Sequence, residues 1–582
     1  MVKWRRSSRS VIRILQPVMS YIGAPTRRAR FALLAVVVAA AIIRLVDLRT
    51  VSPQFADEVF AAVTAHDIMT RGTQFNGAAV GPLGWISFLL SGAEFAYWLG
   101  NGSVFALRVV SAAFGLITVV LVYFVGREIK GRVFGLWSAL ALATMPWAIY
   151  YSRIAFSTGE VLCLEMLAVY LAVSGLRLAA PWRVCLSIVI ASSCMYLYTA
   201  ALVSVPVTIV MAVLATRWRE LVRTRFGVWV LYCAVGVGAL LPYVVLHLYH
   251  PSVGAQTTTS VAISGLLGTG GGSVASAAHQ AVINWLWYLT PNYILFHGDP
   301  NVRQSIQAIG EVGWVAGVCG VGGILVGLTR RSSGDRLLLA WLVTYPLVDA
   351  VTSVDAHGNS VRAIFGAVVW AFLAGALVDY GIVKHRAWRH APDRSPHRWK
   401  SPPAWAAFSV VVGALFVLQT GWFMSMYLGS YNATYGYAFN ATLGYRAIVS
   451  DIYKAHLQGI PITMQAGYGS EAMLEYYSDY KLPMPSTILS CQPLGFNVVH
   501  YTVALAVMIL RYSPGYAAYP YCVKSGLLQS DMGLLERARL SGGRRWKVEV
   551  VGRVGGSKAN PDATLILLLS WIKPKASVRL TG

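Results

Sequence analysis

Residues 52–60 read SPQFADEVF, which places two adjacent carboxylates, Asp57 and Glu58, just after the apolar run FALLAVVVAAAIIRLVDL (31–48). A carboxylate near membrane depth is costly to keep charged, so it points to a site or a partner. One chemistry open to such a group is removal of a proton from a reacting hydroxyl. Ser52 can cap a helix with Pro53 at its first position, so PQFADEVFAAVTAHDIM is expected to lie as a helix at the membrane interface. Phe55, Val59 and Ala62 then share one stripe, toward the bilayer or the protein core. Helical neighbours point about 100° apart, so one acid faces a cavity while the other holds the helix in place. A solvated loop acid is the plain alternative for the pair taken alone.

The cations that suit such a carboxylate lie far away in sequence. Arg153 follows Tyr150, Tyr151 and Ser152; Arg303 lies in FHGDPNVRQ (296–304); Arg362 lies in DAHGNSVRAIF (355–365). Convergent arginines suit a phosphate, which a guanidinium clamps with two parallel hydrogen bonds. Headgroup snorkelling explains any one of them, but less well why each sits beside polar or aromatic residues at the end of an apolar run. His297 and His357 are candidate acid–base groups on the same loops, each with a structural alternative.

The elements that must position these groups are membrane helices. The 582 residues are 56% hydrophobic and 12% charged, with a mean hydropathy of +0.57. Soluble domains carry about 25% charged residues, so the composition is that of a polytopic membrane protein. The net charge of +24 does not indicate nucleic acid, because the cations cluster in short loops between apolar runs. Runs able to span lie near 31–48, 104–125, 133–150, 159–176, 184–198, 199–216, 226–247, 308–328, 337–352, 361–382 and 404–428, with 82–100 and 281–297 interrupted by Gly, Pro or polar residues. With about 11 crossings and a cytoplasmic N-terminus, the inner segments 1–30, 126–132, 177–183, 217–225, 329–336 and 383–403 hold 8, 3, 2, 4, 3 and 6 Lys and Arg. Letting either interrupted stretch cross would invert that bias, so both are expected to be interfacial or re-entrant. The basic first 30 residues and the run after them are read as an uncleaved anchor in a plasma (inner) membrane.

Three regions follow: a basic cytoplasmic N-terminus (1–30), a transmembrane domain (31–428) whose first outer loop is 49–103, and an extracytoplasmic α/β domain (429–582). The last carries strand-like WKVEVVGRV (546–554) and ATLILLLSW (563–571), the turn signal Asn560-Pro561-Asp562 and the amphipathic SEAMLEYYSDY (470–480). GLLGTGGGS (265–273) is a low-complexity outer loop. Five of the seven cysteines fall in apolar runs, and Cys491–Cys522 is the pair open to a disulfide in an oxidising compartment. No Cys/His metal spacing occurs.

The acidic pair, ALRVVSAAFGLITVVLVYFVGREIKG (106–131), ATMPWAIYYSRIAFS (143–157), YLTPNYILFHGDPNVRQSIQAIGEVGW (288–314) and HGNSVRAIFGAVVWAFLAG (357–375) occur in that order. Together they resemble the GT-C glycosyltransferases of the dolichyl-phosphate-mannose-protein mannosyltransferase and aminoarabinose-transferase type, over most of residues 31–450. MYLGSYNATYGYAFNATLGYRAIVSDI (426–452) resembles the entry to their outer domain. The resemblance implies a GT-C membrane fold that moves one sugar from a polyprenyl-phosphate carrier to a lipid, glycan or protein acceptor on the outer face. It implies Asp57, with Glu58 beside it, as the catalytic carboxylate, and Arg108 and Arg153 as the family's arginines. Arg108, Arg153, Arg303 and Arg362 then become the candidate phosphate binders. Many members carry a second acid four or five residues after the latter arginine, where this chain has Ser157 and Thr158. Either Glu160 substitutes through a shifted loop or the second acid is dispensable. A divalent metal held by a carboxylate is an alternative to one arginine. An Ala/Val/Arg-rich chain suggests a prokaryote, hence undecaprenyl phosphate or a related carrier.

A transporter or flippase for lipid-linked sugars is the rival reading, and a non-catalytic scaffold is a third. Transporters place polar and broken helices near the bilayer midplane, whereas the polar residues here gather at the outer ends of the runs.

Overall fold

The computed structural model describes residues 27–49, 56–73, most of 80–100, 103–249 except 199, 274–301, 304–351, 359–389, 404–431, Tyr476 and five strands, one before it and four beyond. Ser52, Pro53, Phe55, Arg303, His357, the 265–273 loop, Cys491 and Cys522 lie outside the described residues.

Apolar helices dominate. Six are long and apolar enough to cross a membrane among the described residues, beginning at Val104, Ser157, Ala201, Phe226, Phe365 and Ala407. Arg132–Thr144, Pro181–Leu197 and Trp314–Arg330 are shorter apolar helices, and Arg27–Leu45 and Ser333–Thr344 lie on two further runs. Local chemistry sets the ends. Ser103 caps Val104–Ile129, its side chain receiving the Ala106 N–H, while Ser332 and Asp335 form a capping box at Ser333–Thr344. Pro146 breaks the expected 133–150 run into Arg132–Thr144 and the six-residue helix Pro146–Tyr151, since proline supplies no N–H to continue the ladder. The expected 308–328 run begins later, at Trp314, which leaves Glu311 in the preceding loop. The two interrupted stretches hold short pieces: Ala93–Gly100 in one, and Val274–Trp287 followed by a π-turn at Asn292–Phe296 in the other.

The main core runs through the bundle around Phe134, Trp147, Trp341, Trp370 and Phe372. A second core joins the Ala56–Arg71 helix to 88–110 through Val59, Ala62, Val63, Phe88 and Leu107. Val59 and Ala62 are fully buried, so these two residues of the stripe face the protein core. Tyr476 packs on this second core, and its hydroxyl accepts the Val104 N–H at 3.1 Å. Farther along, Trp546–Val554 and Ala563–Trp571 are strands over the residues expected, and both Leu505–Tyr512 and Trp546–Val554 pair antiparallel with Ala563–Trp571. Thr463–Gln465 pairs in parallel with Thr487–Leu489.

Hydrogen bonds and ion pairs define two ends of the bundle. One collects Ile43 to Leu48, Glu58, Arg108, Trp147 to Ala155, Tyr288, Glu311, Asp349, Asn359, Ser360 and Tyr431; the other collects Glu128, Lys130, Arg177, Arg217 and Asp335.

Candidate active site

The first acidic helix, Ala56–Arg71, carries both acids of the pair. The side chain of Asp57 lies outside the described residues, but its neighbour is fixed in detail. Glu58 is fully buried and receives Arg108 Nε at 2.8 Å on Oε1 and Arg108 Nη2 at 2.6 Å on Oε2. The backbone N–H of Ala155 adds a third bond to Oε1 at 2.9 Å. Arg108 in turn reaches the Leu48 carbonyl at 3.4 Å. Glu58 therefore holds the helix, tying it to the Val104–Ile129 helix and to the 152–156 turn. A buried charge without such a partner would be strongly unfavourable.

Arg153 is also fully buried. Its Nη1 donates to Ile43 O at 2.8 Å and its Nη2 to Val46 O at 2.7 Å, while the guanidinium lies 5.2 Å from the Tyr427 ring centre. Those carbonyls belong to the last turn of Arg27–Leu45 and the turn after it, where a helix exposes unpaired acceptors and partial negative charge. Arg44 acts in the same way on a neighbour, donating to Ala143 O at 3.1 Å where proline interrupts the ladder of Arg132–Thr144. Gly115 makes room for this crossing, since a Cβ there would stand 2.5 Å from Ser152 Cβ. The segment between the first apolar helix and Asp57 is thus held at both ends by the 152–155 turn.

A second network lies across the Pro146–Tyr151 helix. Trp147 donates its backbone N–H to Glu311 O at 2.8 Å and its indole N–H to Ser360 O at 3.3 Å. Ser360 donates its N–H to Asp299 Oδ2 at 2.8 Å and its hydroxyl to Glu311 Oε1 at 3.0 Å. Burial, with the Asp299 carboxyl nearby, pushes Glu311 up to about 8. Asp349, fully buried, accepts the Tyr288 hydroxyl at 2.6 Å and the Asn359 N–H at 2.9 Å. Arg362 Nη1 stands 3.6 Å from Asp349 Oδ1, with about 29% of its side chain exposed. The network fixes the short loop that carries Arg362 and both flanks of Arg303.

Of the expected site residues, the structure brings Glu58, Arg108 and Arg153 together and places Arg362 on the adjoining network. Glu160 stands apart in the first turn of Ser157–Arg177, with Oε2 unpartnered. His297 is exposed and its Nδ1 lies 2.6 Å from Asn292 Oδ1. Sequence reasoning passed over Arg44, Asp299, Glu311 and Asp349. Arg44 carried a signal, a charge inside an apolar run; Asp299 and Glu311 sat within quoted segments, unmarked. Among the described residues, no group of three His, Cys, Asp or Glu side chains is placed to hold a metal ion.

Residues 92–247 match the family model described as dolichyl-phosphate-mannose-protein mannosyltransferase. Among solved structures, ArnT from Cupriavidus metallidurans bound to undecaprenyl phosphate matches over 93% of this chain and 98% of its own, with a TM-score of 0.53 and 12% identity. The archaeal oligosaccharyltransferase AglB from Archaeoglobus fulgidus, in complex with an inhibitory peptide and a dolichol-phosphate, matches over 83% of this chain and 69% of its own, with a TM-score of 0.50 and 13% identity. The apo oligosaccharyltransferase of that organism matches with a TM-score of 0.51 and 13% identity over 79% of this chain, which spans 65% of its length. Comparison with curated protein sequences gives no match. The fold is that of the GT-C glycosyltransferases, and the chain is a multi-pass membrane protein.

Proposed function

We propose that the protein is a membrane glycosyltransferase that moves a single sugar from a polyprenyl-phosphate carrier to an acceptor on the extracytoplasmic face. The single observation that carries this reading is the triple hold on Glu58 by Arg108 and the Ala155 N–H. It fixes the helix turn on which Asp57 sits. Asp57 acts as the base: it takes the acceptor hydroxyl proton as the new glycosidic bond forms and the bond to the carrier phosphate breaks. The departing lipid phosphate needs positive charge, supplied by Arg362 and Arg303. Arg108 and Arg153 act behind them, Arg108 by holding Glu58 and Arg153 by holding the end of the first span. Glu160 and His357 remain candidates for substrate contact.

The carrier assignment draws on the ArnT structure, which is bound to undecaprenyl phosphate, and the AglB structure, which contains a dolichol-phosphate. In this reading the eleven apolar helices all cross, the N-terminus is cytoplasmic and the Arg108 end faces outward. Residues 429–582 form an outer α/β domain, a placement favoured by the Tyr476–Val104 bond at that end. The membrane is the plasma membrane, or the inner one where there are two.

Purified full-length Asp57→Asn, assayed for sugar release from a panel of polyprenyl-phosphate donors, is expected to lose about 100-fold or more in turnover; near-normal turnover would remove Asp57 from this role. Reporter fusions near residue 390 are expected to read cytoplasmic and those near 520 external, and the reverse pattern would overturn the topology.

A further inference from the structure

The Ala404–Met426 helix ends in a π-turn, Tyr427–Tyr431, and the sequence then runs on through the rest of the 429–582 region. Such turns are rare and concentrate at functional sites. The helix is pinned just before it, where Gln419 Oε1 accepts the Val315 N–H at 2.7 Å and Thr420 Oγ1 donates to Thr144 O at 3.4 Å. Phe423, Tyr427 and Tyr431, spaced by four, stack one on the next with ring centres 5.8 Å apart in both pairs. Their contacts then converge on one short stretch, 150–153. The Tyr427 ring lies against the Arg153 guanidinium. Tyr431 Oη stands 2.9 Å from Tyr150 Oη, and Tyr150 meets Tyr427 edge-on at 5.9 Å. All three tyrosines are buried.

We propose that Tyr427 and Tyr431 are positioning residues for the transfer, a latch through which the entry to the 429–582 region sets the turn that carries Asp57. The latch grips the 150–153 stretch from one side. On the other side that stretch holds two things: Arg153 donates to Ile43 O and Val46 O, and the Ala155 N–H donates to Glu58. Arg153 bonds only to carbonyls among the described residues, and the negative face of the Tyr427 ring adds the balancing attraction for its buried charge. Without that face the guanidinium has room to shift, and the end of the first apolar helix and the Glu58 turn shift with it. Arg362, proposed above to meet the carrier phosphate, is held separately through Asp349. Loss of the latch should therefore slow transfer without weakening the donor. The role in turnover rests on the transferase reading; the mechanical link does not.

Hydrogen exchange of the purified full-length protein reads the link, and steady-state sugar release from a polyprenyl-phosphate donor reads its use. Tyr427→Leu removes the ring face, so amides at 43–48 and 58–62 are expected to exchange about tenfold faster, while those at 359–365 keep their rates. Its kcat should fall about tenfold with the donor KM unchanged. Tyr427→Phe keeps the face and should hold both readouts at the wild-type level. Tyr431→Phe retains a packed ring, so it serves even if Tyr427→Leu does not fold; exchange at the same amides should quicken about threefold. Unchanged exchange at 43–48 in the variants that fold, faster exchange spread evenly over the bundle, or a raised donor KM at unchanged kcat would overturn the proposal. A wild type that releases no sugar would remove the transferase reading, and the exchange rates would still decide the link.

Discussion

The two ends of the bundle both carry charged pairs, but they use them differently. At one end Glu128 gathers Arg177 at 2.7 Å, Arg217 at 3.2 Å and Arg127 at 3.6 Å, and the arginines are between 13% and 38% exposed; Lys130 meets Asp335 nearby. These pairs join helix ends, and the most exposed of them is open to solvent screening. At the other end the Glu58–Arg108 pair is sealed, at 0% and 1% exposure, and two-pronged. Arg153 and Arg44 there bind backbone carbonyls rather than acids. The difference teaches that a cluster of cations in a membrane protein has two distinct uses: shared pairs hold a surface together, while sealed pairs fix one segment in one place. What is fixed here is the end of the first apolar helix and the Glu58 turn.

The contrast is tested most severely at its sealed pair. Arg108→Met leaves Glu58 buried without its cation, so thermal unfolding of the purified protein is expected to show a loss of about 3–5 kcal/mol. Replacing both as Glu58→Leu, Arg108→Met should restore part of that stability but not sugar release. Recovery of both would make the pair a packing device with no bearing on Asp57. A smaller loss, about 2–3 kcal/mol, is expected for Arg153→Met, which deprives Ile43 and Val46 carbonyls of a charged donor; limited proteolysis near residue 50 should speed up with it.

Glu311 sharpens the comparison by pH. Its carboxyl sits at about 8 in the fold against 4.5 ordinarily, so the fold favours its protonated form. That contribution is complete below about 4.5 and declines as pH rises toward and through 8. Thermal stability should therefore fall across that window, and Glu311→Gln, neutral at every pH, should flatten this part of the curve; an unchanged curve would exclude a buried neutral Glu311. The smallest effect is expected at the opposite end, where Arg177→Ala should cost less than about 1 kcal/mol, and less still at high salt. A loss there equal to that of Arg108→Met would erase the distinction between the ends.

Much of the architecture was legible in the residues. The apolar runs located the helices, because burying apolar side chains in lipid or protein needs no distant partner to be inferred. Alternation and near-continuous apolar runs likewise marked Trp546–Val554 and Ala563–Trp571 as strands. The neighbourhood of the site was less legible. Asp57 and Glu58 are adjacent and chemically alike, and nothing local says which is held. Arg153 reads as a phosphate ligand by type and place, yet in the fold it binds the carbonyls of Ile43 and Val46, some 110 residues earlier. Asp349 and Arg362 likewise meet only in the fold.

By itself the sequence determined that the chain enters membranes, where its helices run, and which residues had the chemistry for a site. Hydrophobicity and helical period act over a few turns and are written locally. Only the tertiary structure decided which charges meet. A guanidinium reaches a few ångströms, so whether it finds a carboxylate, a carbonyl or an open cleft depends on how helices far apart in sequence pack together.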